Sequence, residues 1–256
     1  MTKSRVKVAV PIYRSPLGPL ELKSLRNNRE ALRRWPFVFL LPEGIEAPEI
    51  CRGGEILRVS DEWLGTKNGI AGYNRMMMSR AFYDLFADTE YLLICQTDVW
   101  LFRDELEAWC SRGYDYVGAP WVKRAVYDCP LIRQYLALRR RFLSDRSKLL
   151  HQSLFDRVGN GGLSLRKVEP FRLACTKYAA EIDRFARQKG SLYNEDVFWS
   201  LVPKEFRYPT VEEALRFSFD TNPAYCYRMT GGQLPFGCHS WSKPRYLKFW
   251  KRFIGE

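Results

Sequence analysis

Asp98 is the acidic residue whose surroundings most favour phosphate chemistry. It follows the apolar run 91–95 and precedes a second apolar stretch, so its carboxylate is expected at the exit of a buried strand. Mg²⁺ and Mn²⁺ prefer oxygen ligands and keep positions open for substrate oxygens, so such an acid can hold a cation that bridges two phosphates. An acid at a strand end also serves as a turn or helix cap, and both interpretations stay open.

Two further groups have side chains suited to acid–base chemistry or metal ligation. Glu195 and Asp196 stand before the apolar run 197–199, where carboxylates cap a helix against its dipole. Alternatively, a carboxylate here takes the proton of a sugar hydroxyl as its oxygen attacks an anomeric carbon. His239 is one of only two histidines in the chain. Its imidazole is either a packed, hydrogen-bonded side chain or a metal ligand acting with Asp98.

A glycine-dense turn occupies 159–162 and leads into a short strand predicted at 163–166. Glycine permits positive φ angles and lets the backbone approach a ligand closely, and a tight turn needs it equally. The turn is therefore a candidate wall of a binding site only if the acids and His239 lie near it.

Strand and helix patterns alternate along the first half of the chain. Apolar, β-rich runs lie at 6–12, 37–41, 56–59 and 91–95, with helical patterns at 20–34 and 70–86. This alternation predicts an α/β fold with a mainly parallel sheet and helices on both faces. Ligands bind beyond the carboxyl ends of such strands, where Tyr13, Arg14 and the triplet 96–98 are expected. The second half is less regular, with helices predicted at 168–188 and 195–202.

Length and composition predict a single folded domain. A chain of 256 residues with 46% hydrophobic residues can bury a full core. The seven cysteines are irregularly spaced without a Cys-x-x-Cys pair, which argues against a disulfide framework and against zinc. The N-terminal residues run directly into a strand-like segment, and no apolar stretch reaches membrane-spanning length. We therefore expect neither a signal peptide nor a transmembrane helix, and a cytoplasmic location.

Positive charge is concentrated in two segments. Forty-one Lys and Arg against 29 Asp and Glu give a net charge of +12, which favours anionic partners. Segment 131–150 has the pattern of a basic amphipathic helix, and 243–253 interleaves cations with aromatic residues. Each is either a solvated helix face or tail, or a surface that docks on anionic membrane lipids.

Six segments follow one another along the chain. They are Gly-Tyr-Asn-Arg-Met-Met-Met-Ser at 72–79, Gln-Thr-Asp at 96–98, Gly-Tyr-Asp-Tyr-Val-Gly-Ala-Pro-Trp at 113–121, Gly-Asn-Gly-Gly-Leu-Ser-Leu-Arg at 159–166, Asn-Glu-Asp-Val-Phe-Trp at 194–199 and Leu-Pro-Phe-Gly-Cys-His-Ser-Trp at 234–241. In this order they resemble nucleotide-sugar glycosyltransferases of the GT-A fold. More closely, they are similar to a bacterial glycosyltransferase-like family long described only as a domain of unknown function. The resemblance implies a GT-A-like, Rossmann-type mixed sheet with a basic helical insertion.

The resemblance also implies roles for individual residues. Asp98 and His239 would bind Mn²⁺ or Mg²⁺, Asp196 would deprotonate the acceptor, and Glu195 would shape the site. Candidate donor contacts are Tyr13, Lys67, Tyr73, Asn74, Arg75, Gln96, Thr97 and Asp98. Candidate acceptor contacts are Trp121, Gly161, Gly162 and Asn194. The triplet begins with Gln96 where the family pattern has an acid, so the resemblance implies metal dependence less firmly than the fold.

The expected function is transfer of a sugar from a nucleoside-diphosphate sugar, most simply a UDP-sugar, to a glycan or lipid-linked acceptor. The resemblance suggests bacterial surface polysaccharide, such as O-antigen, capsule or lipopolysaccharide. The charge and amphipathic pattern of the basic segments suggest an enzyme peripheral to the cytoplasmic face of the inner membrane. Inversion with Asp196 as base is expected, and retention on the same fold is the alternative. One domain over 1–256 would comprise a donor half to about 121, a basic insertion at about 122–157, and an acceptor half.

Two other classes of protein stay open. A nucleotidyltransferase would share the sheet and a metal-bound phosphate site, but 11–18 lacks the glycine-rich basic loop that such enzymes carry after the first strand. A non-catalytic protein that binds polyanions would use the positive surface and leave the strand-end acids unexplained. We expect no nucleic-acid partner.

Overall fold

The structure, a computed structural model, describes residues 4–142 and 152–255. Its strands are β1 (Ser4–Pro11), β2 (Phe37–Pro42), β3 (Glu55–Val59), β4 (Thr89–Cys95), β5 (Trp100–Leu101), β6 (Tyr116–Gly118), β7 (Leu163–Lys167), β8 (Ser218–Phe219) and β9 (Gly237–Cys238). Its helices are α1 (Pro19–Ala31), α2 (Gly69–Met77), α3 (Arg80–Asp84), α4 (Leu106–Ser111), α5 (Pro130–Phe142), α6 (Val168–Lys177), α7 (Ala179–Ala186), α8 (Glu195–Leu201), α9 (Val211–Phe217), α10 (Pro223–Met229) and α11 (Pro244–Ile254).

The central sheet confirms the predicted α/β class. Within the described residues it has six strands in the order β3-β2-β1-β4-β7-β6. The strands β3, β2, β1 and β4 are parallel, whereas β7 runs antiparallel to both β4 and β6. The four runs predicted from apolar pattern coincide with β1 to β4 apart from residues at their ends. The carboxyl ends of β1 and β4 therefore meet at one edge, because parallel neighbours end together.

Both faces of the sheet are covered, as the continuous apolar runs predicted. Val8 and Leu93 point into a core shared with Leu25 of α1, and Ala9 and Ile94 point into the opposite core. Since successive residues of a strand point to opposite faces, a strand buried on both sides must be apolar throughout. The polar side chains that can act on a ligand are therefore expected at the ends of β1 and β4.

Three predicted helices have different bounds in the structure. The 70–86 pattern is two helices, α2 and α3, because the Ser79 hydroxyl accepts a hydrogen bond from Phe82 N (3.2 Å) and caps a new helix. The 168–188 pattern is also two helices, α6 and α7, separated at Tyr178. The basic helix predicted at 131–150 corresponds to α5, which is described as far as Phe142. Residues 143–150 of the predicted helix, and residue 151 of the insertion, lie outside the described residues.

A second sheet of three strands, β5-β9-β8, is covered by α11. Tyr246, Trp250 and Ile254 of α11 are buried against it, so the aromatic residues of the C-terminal segment belong to the core. Trp241 donates a hydrogen bond to Ser24 of α1 (2.7 Å), which ties this sheet to the central one. The chain between β9 and α11 is thereby held near the carboxyl ends of β1 and β4. Among the helices of the described chain, none is long and apolar enough to span a membrane.

Candidate active site

A cleft of about 1160 Å³ opens at the carboxyl ends of β1 and β4. It brings together most of the side chains predicted from the sequence. Those that line it are Tyr13, Tyr73, Asn74, Gln96, Thr97, Asp98, Trp121, Gly161, Gly162, Asn194, Glu195, Asp196 and His239. The segments that carry these residues extend from Tyr13 to His239, nearly the whole chain, so only folding places them in one cavity.

Lys67 and Arg75, also predicted as donor contacts, do not line this cleft. Lys67 pairs with Glu62 on the surface, with Nζ 3.1 Å from Oε1. Arg75 follows Tyr73 and Asn74 on α2, and each step along a helix turns the side chain by about 100°. Tyr73 and Asn74 face the cleft, and Arg75 is directed to solvent.

The imidazole of His239 lies between two carboxylates. Its Nε2 is 3.1 Å from Oδ1 of Asp98, and its Nδ1 is 3.0 Å from Oδ1 of Asp220. Burial lowers the pKa of His239, but the two carboxylates outweigh burial and raise the pKa to about 10. Burial likewise opposes ionisation of Asp98, but the attraction and hydrogen bond of His239 hold the pKa of that carboxyl below its usual range. The two carboxylates therefore favour a protonated ring, and a metal ion bound at Nε2 would take the place of the proton on that nitrogen.

The register of the small sheet explains why these three residues meet. Cys238 is opposite Trp100 in the antiparallel pair and opposite Phe219 in the parallel pair. Asp98 lies just before β5, whereas Asp220 and His239 directly follow β8 and β9. All three side chains therefore leave the sheet at the same end. Asp220 was missed from the sequence; an acid directly after the Phe-Ser-Phe segment 217–219 was the available signal.

Asp98 and His239 have the donor atoms and spacing of two neighbouring metal ligands. Adjacent ligands of an octahedral Mg²⁺, each at about 2.1 Å, lie about 3 Å apart, close to the observed separation of Oδ1 and Nε2. A ligating histidine usually donates its other ring N–H to a carboxylate, which is the position of Asp220. Within the described residues there is no set of three or more protein side chains arranged to hold a metal. The pair fits a cation that takes its remaining ligands from phosphates and water.

Gly161 and Gly162 pack between the His239 cluster and the acids of α8. The pairing of β4 with β7 sets Gly162 beside the triplet, with Gln96 N donating to Gly162 O (3.0 Å). A methyl group on Gly162 would collide with the imidazole of His239, and one on Gly161 would collide with Glu195 Oε1. The two glycines are therefore needed for close approach of the backbone to both groups.

Glu195 is buried and forms an ion pair with a buried arginine. Arg166 of β7 donates to Glu195 Oε1 at 2.9 Å and also to the Tyr83 hydroxyl at 2.9 Å. The other oxygen, Oε2, is buried and has no hydrogen-bond partner in the described chain. Asn74 accepts a hydrogen bond from Glu195 N (3.2 Å), so it positions the start of α8.

Asp196 lines the cleft beside Glu195 and has a weakly acidic carboxyl group. Its Oδ2 accepts from Gly161 N at 3.3 Å, and its Oδ1 accepts from Val197 N at 2.8 Å. Burial and the neighbouring Glu195 raise the pKa of Asp196 to about 7, against the opposing hydrogen bonds. A carboxylate with that pKa is suited to accept a proton near neutral pH.

Other polar side chains of the cleft were not among the predicted site residues. Glu21 of α1 accepts from Arg14 at 2.8 Å and from the Thr97 hydroxyl at 2.9 Å, so it ties the end of β1 to the end of β4. Lys243 and Arg245, at the start of α11, supply positive charge beside the His239 cluster. The remaining cleft residues of this kind include Arg124, Asn160, Thr221, Asn222 and Ser242.

Comparison with known proteins relates the chain to one family and to one fold. The family described as "Protein of unknown function (DUF5672)" matches residues 54–239. A search of curated proteins by sequence finds no match. The fold is similar to that of an active-site mutant of LgtC, at a TM-score of 0.55 and 14% identity, covering 94% of each chain. It is also similar to apo mouse xyloside xylosyltransferase 1, at 0.54 and 10% identity, covering 93% of this chain and 97% of that one.

A third similar structure is the galactosyltransferase LgtC in complex with donor and acceptor sugar analogs. Its TM-score is 0.51 at 14% identity, and the match covers 91% of this chain and 86% of that one. At such identities the likeness concerns the fold alone. It confirms the predicted GT-A-like arrangement of a mixed sheet flanked by helices.

Proposed function

The chain belongs to the family described as protein of unknown function DUF5672, and from its cleft we propose that it is a glycosyltransferase that uses a nucleoside-diphosphate sugar. The observation that carries the proposal is the cleft's two-part chemistry. A cluster suited to a diphosphate, Asp98 with His239, is joined by Gly161-Gly162 to a carboxylate suited to a hydroxyl proton, Asp196. The fold shared with glycosyltransferases of known structure supports it.

The donor occupies the side of the cleft formed by the ends of β1 and β4. Tyr13 is half exposed there and offers a ring face to a base or a sugar, with Arg14 beside it. Asp98 and His239 would hold Mn²⁺ or Mg²⁺, which when bound stabilises the charge that develops on the leaving diphosphate. Lys243 and Arg245 line the same side and stabilise that charge directly. Asp220 keeps the imidazole oriented with Nε2 toward Asp98.

Asp196 acts on the acceptor. Its carboxylate takes the proton of an acceptor hydroxyl while the oxygen attacks the anomeric carbon, the bond to the diphosphate breaks, and the configuration inverts. Gly161 N holds Oδ2 by a hydrogen bond, and Glu195 is fixed by Arg166. Trp121, Gly162 and Asn194 line the cleft on this side as acceptor contacts.

The finer assignment follows the resemblance in sequence. We propose a UDP-sugar as donor and a glycan or lipid-linked acceptor of bacterial surface polysaccharide as partner, with the enzyme in the cytoplasm. The division into a donor half, a basic insertion and an acceptor half accompanies this proposal.

A thermal-shift screen of nucleotide sugars, with and without Mn²⁺, tests the proposal. We expect one nucleotide class to raise Tm, with slow release of nucleoside diphosphate as water replaces the acceptor. Once an acceptor is found, the NMR signal of the product's anomeric proton distinguishes inversion from retention. No shift with any nucleotide sugar, together with retention on a heparin matrix at physiological salt, would favour a polyanion-binding protein instead.

Two lysines provide a matched pair for the donor side. Lys243→Ala removes a cation that lines the cleft, and Lys67→Ala removes a surface cation that pairs with Glu62. We expect the first to weaken binding of the productive nucleotide sugar, measured by calorimetry, about 10-fold, and the second to leave the Kd unchanged. The reverse result would mean that the diphosphate binds outside this cleft.

A further inference from the structure

The two basic amphipathic segments of this chain dispose their apolar residues in opposite ways. In α11 the apolar residues Tyr246, Trp250 and Ile254 are buried in the body, and the cations Lys251 and Arg252 are exposed. This is the ordinary arrangement of a surface helix. Leu247, Phe249 and Phe253 are partly buried against the same cluster, so no large apolar side chain of α11 is mostly exposed.

Helix α5 presents large apolar side chains to solvent. Leu131 is 76% exposed, Tyr135 59% and Leu138 60%. Their spacing of four and three residues sets them on one face of the helix. Ile132 and Leu136 lie on a neighbouring face and are partly buried, whereas the three residues of the stripe are mostly exposed.

The charge of α5 is entirely positive. The sequence of Pro130–Phe142 contains four arginines, at 133, 139, 140 and 141, and no acid. An apolar stripe on a helix that carries only positive charge is the pattern of helices lying in the interface of an anionic bilayer. There the apolar side chains enter the acyl boundary while the arginines meet headgroups.

The insertion that carries α5 begins and ends on the acceptor side of the cleft. Its two ends are paired by hydrogen bonds from Trp121 N to Arg157 O and from Asp156 N to Trp121 O, both 2.9 Å. Inside the insertion, next to these paired ends, the rings of Tyr127 and Phe155 lie 4.9 Å apart. Trp121, Tyr127 and Phe155 all line the cleft. An aromatic wall thus leads from the cleft to the start of α5.

We propose that the exposed face of α5 docks on an anionic membrane surface and that the acceptor is an amphiphile anchored in that membrane. The second clause rests on the proposed glycosyltransferase function, whereas the docking itself does not. A stripe of three side chains is too small for a stable protein interface, which buries about 800 Å² on each partner. Insertion into lipid needs only such a stripe and the flanking cations.

A fluorescent label at Cys129 reports the docking directly. All seven cysteines lie in the described chain, and Cys129 is the exposed one, directly before α5. A maleimide probe sensitive to polarity should therefore label Cys129 without further changes. Its emission should shift to the blue with vesicles of phosphatidylglycerol and phosphatidylcholine, and not with phosphatidylcholine alone. Added salt should weaken the response.

Matched variants complete the test by vesicle co-sedimentation. Leu131→Ser/Tyr135→Ser/Leu138→Ser should weaken binding to anionic vesicles at least ~10-fold. Leu173→Ser removes an equally exposed leucine, 59%, from α6 and should not weaken it. The Tm without any ligand should be the same in all three proteins, which shows that the triple variant is folded.

Each remaining outcome is decisive. Equal binding by the triple variant and the wild type, or no binding to any vesicle, would overturn the docking. Self-association that the triple variant abolishes, without vesicle binding, would assign the stripe to a second copy of the chain and overturn it as well. Vesicle binding without any donor binding would leave the docking intact while the proposed function fails.

Discussion

Nδ1 of His239 lies 3.0 Å from Oδ1 of Asp220, on the side of the ring opposite Asp98. This contact fixes a proton on Nδ1 and directs Nε2 toward Asp98 and the cleft. The acid that orients the imidazole is thus as much a part of the candidate site as the histidine itself, although the two are distant from Asp98 in sequence.

Asp220→Asn should weaken metal-dependent donor binding by about 10–100-fold, because the amide no longer fixes the tautomer and orientation of the imidazole. Calorimetric titration of the productive nucleotide sugar with Mn²⁺ present measures the loss. Asp61→Asn, a change at an exposed acid, is the control. An unchanged Kd in the Asp220 variant would remove Asp220 from the donor site. Asp98→Ala, which removes the facing carboxylate, should cause a comparable loss.

Asp196 should give the reaction a pH profile that rises through about pH 7. The pKa of this carboxyl is raised to about 7, and the base must be ionised to take a proton. The pH dependence of kcat/KM for transfer, or for release of nucleoside diphosphate, measures it. Asp196→Asn should abolish transfer and retain donor binding. Near-normal turnover in that variant, or a flat profile across neutral pH, would disprove the assignment of the base.

The same raised pKa has a consequence for stability. The folded state holds the proton on Asp196 more tightly than the unfolded chain, so this group's contribution is fully present below about pH 4 and is lost as pH rises through about 7. Asp196→Asn should therefore have a higher Tm than the wild type at pH 8, and this gain should diminish toward pH 4. A gain that does not depend on pH would indicate a cause other than ionisation of Asp196.

Gly162→Ala should disable the cleft because the added methyl group collides with the imidazole of His239. We expect donor-dependent turnover to fall by at least ~10-fold and unfolding free energy to decrease by about 1–3 kcal/mol. Gly44→Ala, where the nearest atom is Asp61 Oδ2 at 3.8 Å, should change neither. Activity and urea denaturation measure the two effects. Full activity of Gly162→Ala would mean that the ring of His239 can move without loss.

Arg166→Met should destabilise the fold by about 3–5 kcal/mol, since it leaves the carboxylate of Glu195 buried without its cation. Adding Glu195→Gln should recover part of that loss, because the uncompensated charge is gone. Arg216→Met, at an exposed ion pair with Glu212, should cost less than about 1 kcal/mol. Chemical denaturation of the wild type, Arg166→Met, Glu195→Gln and the double variant gives the coupling energy. Simple additivity of the two changes would mean that the buried pair is not coupled.

The local pattern of apolar and polar residues was sufficient to predict the central sheet and part of the cleft. The apolar runs of β1 and β4 had to be strands covered on both faces, so Tyr13 and Asp98 had to emerge where ligands bind. Asp196 could be placed in the first turn of a helix on a different ground, because acids there interact favourably with the helix dipole. These inferences need only periodicity, the common edge of parallel strands and the preference of acids for helix starts.

Tertiary structure alone decided which side chains meet. Register in the small sheet, not spacing along the chain, joins Asp220 to His239, and the pairing of β4 with β7 sets Gly162 beside them. The direction of a helix face likewise separates Asn74, in the cleft, from Arg75, in solvent. Composition predicted two basic amphipathic segments. Packing distinguished them, since α11 has a sheet on which to bury its aromatic residues, whereas the apolar stripe of α5 stays exposed.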